Sequence, residues 1–547
     1  MQMSECKIHQ RSLHFEAPEP RNQERPTKYA GYLGELYCIR CPPEKRKKTG
    51  QYFTPLEIAD LMAAQINQKN DVIRILDAGA GTGVLGCALC EHLANQKEKP
   101  SKIELVAYET DEGLIELLER AIKYLKRYIE EKGIPFEFQI EKEDFVLKYA
   151  YNLQKMPSFF NQPESDIKYD ICISNPPYFK LPKTDSRAIA ASEVVYGQPN
   201  IYFLFMAIAA SILKIGGELV FITPRSFASG NYFRLFREKF FKLVRPEFIH
   251  LFNSRKEAFK KDCVLQENII LKARRENDWQ PDIESKSIVI SSSSGIKDIE
   301  LSRKRKIPLA DIIDLNTDNK VLKIPEEDWE KISAQFNLWN GSLEKYGLKI
   351  STGPVVAFRA KKFIFERQSK NGKHIPLLWL HNVKAMEITW PLYKREKPQY
   401  IEESSESLPL LIPNGNYVLL RRFSAKEETR RLVAAPFIGK LYPYEMIGLE
   451  NHINYIYRPR GTLKEEEAWG LAVLYNSSFY DRYFRGLNGS TQVGATEVNS
   501  IPFPPLETII EIGEKAMSNA KIKNEIDLLA NLAFNKTHHA KRILVNA

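Results

Sequence analysis

From Val72 onward the chain alternates short apolar runs with longer amphipathic ones. "VIRILDAG", "KIELVAYETD", "FEFQIEKED", "YDICISNPP" and "GELVFITP" are rich in β-branched and aromatic residues and predict strands, with two more near "PEFIHLF" and "ENIILKAR". Between them, "GVLGCALCEHLA", "GLIELLERAIKYLKRYIEE", residues 200–213 and "NYFRLFREKFFKL" carry apolar residues at helical spacing. Strands separated by helices of this length predict an α/β fold with a doubly wound, mostly parallel sheet. Ahead of it, the basic loop "EKRKKTGQYFTP" leads into a helix "PLEIADLMAAQI". Residues 1–45 are polar and irregular and are expected to form an N-terminal arm. The alternation fades after Arg275, where "SIVISSSSGIKDIELSRKRKIP" turns Ser-rich and then basic, as a boundary does. One domain is therefore expected over 46–290. A second, of mixed α+β character with short strands, aromatics and basic runs, is expected over 300–547.

Composition changes this picture little. At 547 residues the chain is too long for a single core, and 43% hydrophobic with 27% charged residues is ordinary for a globular protein. The formal charge of +10 fits a polyanionic partner without singling one out. "MQMSECKIHQRSLHFEAPEP" lacks the apolar segment of a secretory signal, and the most apolar stretch, from Ile201, is interrupted by Lys214 and by Gly216-Gly217. A cytoplasmic protein with no membrane contact is expected. Seven cysteines in such a length do not make a disulfide framework. Of the two Cys-x-x-Cys pairs, Cys38/Cys41 and Cys87/Cys90, the second falls on the inward face of a helix, so buried core thiols and no metal site are expected.

The first chemistry lies in "LDAGAGTGVLG", which follows the first strand and opens a helix. Gly81 to Gly86 matches the dinucleotide fingerprint, a weak signal alone. Asp77, ahead of Gly79, Gly81 and Gly83, favours S-adenosyl-L-methionine instead: a carboxylate there suits an ammonium and would repel a pyrophosphate. The next strand ends in "AYETD", placing Glu109 or Asp111 where an acid can accept from ribose hydroxyls.

The second lies in "SNPPYF". Two prolines cannot continue a ladder, so Asn175 to Tyr178 end a strand at the sheet edge where ligands bind. An exocyclic amine on a planar base is a poor nucleophile because its lone pair is delocalised. The Asn175 oxygen and a carbonyl held by the stiff Pro176-Pro177 unit would accept its N–H groups and free that lone pair. Tyr178 would stack on the base and stabilise the developing positive charge.

"DAGAGTG" followed by "SNPPYF" resembles the N6-adenine DNA methyltransferases, and the motif order is that of the gamma class in type II restriction-modification systems. The resemblance implies a class I methyltransferase sheet with a C-terminal target-recognition domain. It places Thr54, in "GQYFTP", in a cofactor lid, and Asp144-Phe145, in "KEDF", beside the cofactor adenine. It makes Phe259, in "AFKKDCVLQENIILKAR", the aromatic stacked on a flipped base. "RRFSAKEETRRLVAAP", "GLENHINYI" and "NGSTQVGATEVNSIPFP" look like recognition segments, with Arg421, Arg422, Arg430 and Arg431 as a phosphate-facing set. Double-stranded DNA is the implied partner of a chain acting as a monomer, with a cognate restriction endonuclease acting on the same site. A cytosine-N4 enzyme would be expected to carry serine in place of Asn175. RNA adenine methylation, protein-glutamine methylation and a non-catalytic DNA-binding subunit are the rival functions.

Overall fold

The computed structural model describes residues 17–154, 168–253, 267–276, 279–280, 286–317, 319–325, 329–369, 373–392, 397–425, 428–488, 491–519 and 522–545. The chain divides into two compact units, Met1–Phe227 with Asn231–Val321, and Ala228–Gly230 with Leu322–Ala547.

The first unit opens with helices α1 (Pro26–Arg40), α2 (Pro43–Thr49) and α3 (Leu56–Ala63). The alternating part follows: β1 (Val72–Ala78), α4 (Val84–Ala94), β2 (Lys102–Tyr108), α5 (Glu112–Glu130), β3 (Phe136–Glu141), α6 (Phe145–Tyr149) and β4 (Tyr169–Ser174). Then come α7 (Ser186–Ala190), α8 (Ile201–Ile212), β5 (Leu213–Pro224), α9 (Arg234–Leu243), β6 (Val244–Phe252), β7 (Asn268–Arg275), β8 (Ser287–Ser293) and β9 (Arg305–Pro308). The strands form one sheet in the order β3-β2-β1-β4-β5-β7-β6-β8-β9. It is parallel from β3 to β5, whereas β7 runs antiparallel to both β5 and β6, so the sheet is mixed. The order reverses between β1 and β4, which opens a crevice beyond their carboxyl ends. At the far half of the sheet, fully buried Glu218 on β5 meets Lys272 at 3.0 Å and Arg274 on β7, a charge-compensated cross-strand tie.

Two boundaries differ from the sequence reading. The expected arm contains α1, whose Tyr29, Ala30, Leu33 and Tyr37 share a core with Leu89 and Leu93 of α4 and Leu117 and Leu118 of α5. Tyrosines and small residues supply its inward face, which hides it from a hydropathy scan. The Ser-rich segment is no linker: as β8 it pairs in parallel with β6, and Ser291 and Ser293 bond the two ring nitrogens of buried His250 at 2.8 and 2.9 Å. Burial there pulls His250 down to about 4, so the ring is neutral and the serine hydroxyls are its polar partners. The first unit consequently runs to residue 321.

The second unit holds two small sheets. One pairs Lys349–Thr352, Ile453–Tyr457, Tyr417–Arg421 and Ala434–Phe437, all antiparallel. The other has five short strands in the order Ile364–Phe365, Tyr400–Glu402, His374–Leu378, Met446–Leu449 and Leu411–Pro413. Helices Glu465–Asn476 and Leu506–Met517 cross closely because Gly470 and Gly513 lack side chains: a Cβ on either would strike the backbone of the facing helix.

Candidate active site

Glycines at the end of β1 build the floor of the crevice. Gly79, Gly81 and Gly83 all have positive φ, +76°, +58° and +85°, which side chains other than hydrogen rarely tolerate. The turn is pinned from β2, where the Tyr108 carbonyl accepts from Gly79 N at 3.0 Å and Ala80 N at 2.8 Å. Glu109 accepts from Gly81 N at 2.9 Å, Thr110 N at 2.8 Å and Asp111 N at 2.9 Å. Burial raises its pKa, and the three amides pull the other way. Asp111 caps α5 through Gly113 N and Leu114 N and accepts from the Tyr37 hydroxyl at 3.0 Å. Both acids border the crevice, but Asp111 is committed to its helix, and Glu109 is the one tied to the glycine loop.

Asp77 sits behind this loop. Its side chain is 1% exposed and does not line the crevice, unlike the contact expected from the sequence. Oδ2 accepts from Gly86 N at 2.9 Å, holding the first turn of α4, and Oδ1 has no hydrogen-bond partner among the described residues. Burial pushes this carboxyl up to about 7, with the Gly86 amide opposing and Glu109 adding to the rise. A carboxyl whose native pKa exceeds its unfolded value stabilises the fold fully below pH 3.8 and loses that contribution as pH rises through about 7. Asp77→Asn removes the titration. The variant should gain on the wild type by up to roughly 4 kcal/mol between pH 4 and pH 8, read as urea-unfolding free energies without cofactor. A stability gap that does not move with pH would contradict this account.

The opposite wall comes from α6 and α8. Asp144 caps α6, accepting from Leu147 N at 3.0 Å, and lies 3.7 Å from Arg187. Phe145 is buried, with Tyr108 edge-on at 5.4 Å and Phe205 at 5.1 Å. Phe205 and Arg187 also border the crevice, and the sequence reading missed both. The α8 segment "IYFLFMAIAASI" is apolar all round, so no period marks which residue faces a ligand.

β4 delivers the polar centre. Ser174 Oγ donates to the Ala78 carbonyl at 2.5 Å, binding the end of β4 to the end of β1. Asn175 Nδ2 donates to the Tyr52 carbonyl at 2.8 Å and to Thr54 Oγ1 at 3.0 Å. With its amide nitrogen so engaged, Oδ1 is fixed as an acceptor, 2.5 Å from the Tyr178 hydroxyl. That hydroxyl also lies 2.8 Å from the Ile222 carbonyl. Tyr178 is 6% exposed, stacked on Tyr52 at 5.7 Å and edge-on to Tyr202 at 6.3 Å. The open stacking face expected of Tyr178 is therefore corrected: one face is covered, and Tyr52 is the ring that borders the crevice. Phe259 lies outside the described residues.

Gly50, at the end of α2, carries φ +65° and accepts from Tyr178 N at 3.3 Å. A Cβ there would stand 2.7 Å from Tyr178 N, so Gly50→Ala must push the segment around Gly50 and the strand end apart. Its kcat should fall by roughly tenfold or more, the scale of small displacements at a reacting centre, with thermal stability lowered by less than about 2 kcal/mol. Steady-state kinetics and melting curves on the same preparation check this; a wild-type kcat would show that the contact is idle.

These walls enclose a cavity of about 680 Å³ bordered by Thr54, Gly79, Gly81, Glu109, Asp144, Phe145, Asn175 and Pro177. Gly83, Pro176 and Tyr178 are not among the residues that border it. Cys87 and Cys90 are buried in α4, and burial drives both thiols well up.

Residues 62–259 match the Eco57I restriction-modification methylase family. Over 490 residues the chain is 32% identical to the type II methyltransferase M.BsuBI of Bacillus subtilis, covering 89% of this chain and 94% of that one. To the type II methyltransferase M.PstI of Providencia stuartii it is 32% identical over 489 residues, covering 89% and 93%. The chain belongs to the type II methyltransferases. Among solved structures it is similar to the type IIG restriction endonuclease BpuSI, with 14% identity and a TM-score of 0.41 over 93% of this chain and 68% of that one.

A type II methyltransferase of a restriction-modification system takes its methyl group from S-adenosyl-L-methionine, and the crevice fits that donor. Its volume suits a ligand of that size. It offers a glycine floor without side chains, an aromatic slot at Phe145 and Phe205, and carboxylates at Glu109 and Asp144. The orphaned Asp77 Oδ1 lies buried behind the glycine loop and does not border the crevice.

Proposed function

We propose that the chain transfers a methyl group from S-adenosyl-L-methionine to N6 of an adenine flipped out of duplex DNA at a specific sequence. It would act as a monomer, as the modification partner of a restriction endonuclease cutting at that site. The observation that carries the reading is the orientation of Asn175, a residue that borders the crevice: both hydrogens of its amide are taken by the Tyr52 carbonyl and Thr54, which fixes its oxygen as an acceptor, met by the Tyr178 hydroxyl at 2.5 Å. An oxygen so held can take one N–H of an exocyclic amine, and a carbonyl of the Pro176-Pro177 unit the other. Drawing both hydrogens towards acceptors favours a tetrahedral nitrogen with an available lone pair. Bound S-adenosylmethionine supplies an electrophilic methyl group.

Glu109 would accept from the ribose hydroxyls, with Asp144 and Phe145 at the cofactor adenine, Thr54 at the lid, and Gly79, Gly81 and Gly83 giving the backbone close approach. Asp77 would act from behind the loop, through Gly86 and through its unpartnered oxygen. Tyr178 would position Asn175 through their hydrogen bond, with Tyr52 offering the ring for the base and Phe259 its second face. An amine inside a duplex cannot reach a crevice at a sheet edge, so the base must leave the stack. The second unit, 322–547, would choose the sequence.

The test is the polymer that accepts the label. Incubated with S-adenosylmethionine tritiated in its methyl group, the protein should label duplex DNA and leave single-stranded RNA and a bacterial protein extract unlabelled. Label entering RNA or glutamine side chains in preference to DNA would refute the reading.

A further inference from the structure

In the second unit, three stretches distant in sequence are knitted into one cluster. Arg422 N donates to the His452 carbonyl at 2.8 Å, Val493 N to the Arg422 carbonyl at 2.7 Å, and Ser424 N to the Thr491 carbonyl at 3.0 Å. Phe423 and Gln492 form an antiparallel bridge, and Asn454 Nδ2 donates to the Val493 carbonyl at 2.8 Å. "RRFS", "ENHIN" and "STQVG" thus share one surface.

The side chains on that surface are held from beneath. Glu450 is 2% exposed, yet its carboxylate accepts from His452 N at 3.1 Å and binds His452 Nδ1, whose ring is about half exposed. His452 Nε2 makes no hydrogen bond among the described residues. Phe423, 37% exposed, lies edge-on to that imidazole at 4.8 Å. Arg422 Nη1 donates to the Asn451 carbonyl at 2.9 Å, and its other nitrogens face the Gln492 carboxamide. Burying a carboxylate is costly, and spending it on a half-exposed ring adds little to stability. What it does achieve is a fixed imidazole whose one unused nitrogen points away from its anchor.

The other arginines of the expected phosphate-facing set are differently employed. Arg431 is fully buried against Ser424, Arg430 pairs with Asp527 at 3.4 Å, and Arg421 Nε donates to the Val383 carbonyl at 2.6 Å. Only Arg422 joins the cluster.

We infer that His452 and Phe423, positioned by Glu450 and flanked by Arg422 and Gln492, form a base-reading surface that fixes the DNA sequence this methyltransferase modifies. Reading a base edge needs planar polar groups held in one orientation together with an apolar contact for a thymine methyl or a base step. This cluster supplies both. The inference rests on the proposed reading of the chain as a sequence-specific DNA methyltransferase.

The test compares two fluorescent duplexes: one carrying the protein's own site, located by sequencing DNA methylated by the wild type, and one with that site scrambled. Wild-type protein with cofactor should bind the first more tightly; equal binding would sink the reading on which the inference rests. His452→Ala and Phe423→Ala, both at exposed positions, should each weaken binding to the site about tenfold. Binding to the scrambled duplex and to S-adenosylmethionine should stay within twofold of wild type. Either variant behaving this way supports the inference. If both keep wild-type discrimination, or lose both duplexes equally, as a phosphate contact would, the base-reading role is overturned while DNA methylation itself stands.

Discussion

Asn175→Ala should lower kcat for methyl transfer by about 10²–10³-fold or more, the range for removing one pre-positioned group that stabilises a reacting centre. S-adenosylmethionine affinity should remain within a few-fold of wild type. The expectation follows from what Asn175 touches. Its nitrogen is engaged by the Tyr52 carbonyl and Thr54, its oxygen accepts from the Tyr178 hydroxyl, and the residue borders the crevice. Truncation removes the acceptor and also the two hydrogen bonds that tie the Tyr52–Thr54 segment to the strand end. Calorimetric titration of cofactor, alongside single-turnover transfer to DNA, separates the two effects. Tyr178→Phe should fall between Ala and wild type, because it keeps the ring packed on Tyr52 and deletes only the hydroxyl that orients Asn175. A variant at position 175 that loses cofactor affinity and keeps its turnover would reverse the assignment.

The second large effect concerns the division of labour between the units. A fragment ending at residue 321 keeps every strand of the nine-stranded sheet and every residue lining the crevice. It should bind S-adenosylmethionine with near-native affinity and lose its preference for one DNA sequence, by the 10³-fold or more that separates specific from non-specific binding. Circular dichroism first establishes that the fragment is folded, and competition with scrambled duplex then measures the preference. Selective methylation of the original sites by a folded fragment would place recognition within the first unit. A cut at residue 290, suggested by the Ser-rich run, would instead remove β9 and end within β8.

How much of this was legible in the sequence depends on what kind of signal each element leaves. The glycine loop and Asn175-Pro-Pro-Tyr are local: positive φ demands glycine and paired prolines end a strand, so both could be placed before any fold was known. The alternation of strand and helix was equally plain from β1 to β5. Strand direction leaves no local trace, and the antiparallel β7 could not be read. Neither could α1, whose tyrosines bury their rings against α4 and α5. Ser291 and Ser293 looked like linker residues because their partner, His250, lies some 40 positions away.

Residue roles show the same divide. Glu109, Asp144 and Phe145 border the crevice, as their place after strand ends suggested, and so does Thr54, which only the family resemblance of "GQYFTP" pointed to. Asp77 and Tyr178 do not, because each is drawn inward by a backbone partner: Gly86 N, in the next helix, for the carboxylate, and the sequence-distant Ile222 carbonyl for the hydroxyl. Phe205 was hidden within a helix apolar on every face. The cluster around His452 joins segments some 30 to 40 residues apart that carry no common motif.

The identity of the methylated atom tests the central claim most directly. DNA incubated with the protein and S-adenosylmethionine bearing a deuterated methyl group is digested to nucleosides and separated by mass spectrometry. The account predicts the label in N6-methyldeoxyadenosine, at one sequence context when the same DNA is sequenced. Label in N4-methyl- or C5-methyldeoxycytidine would contradict it.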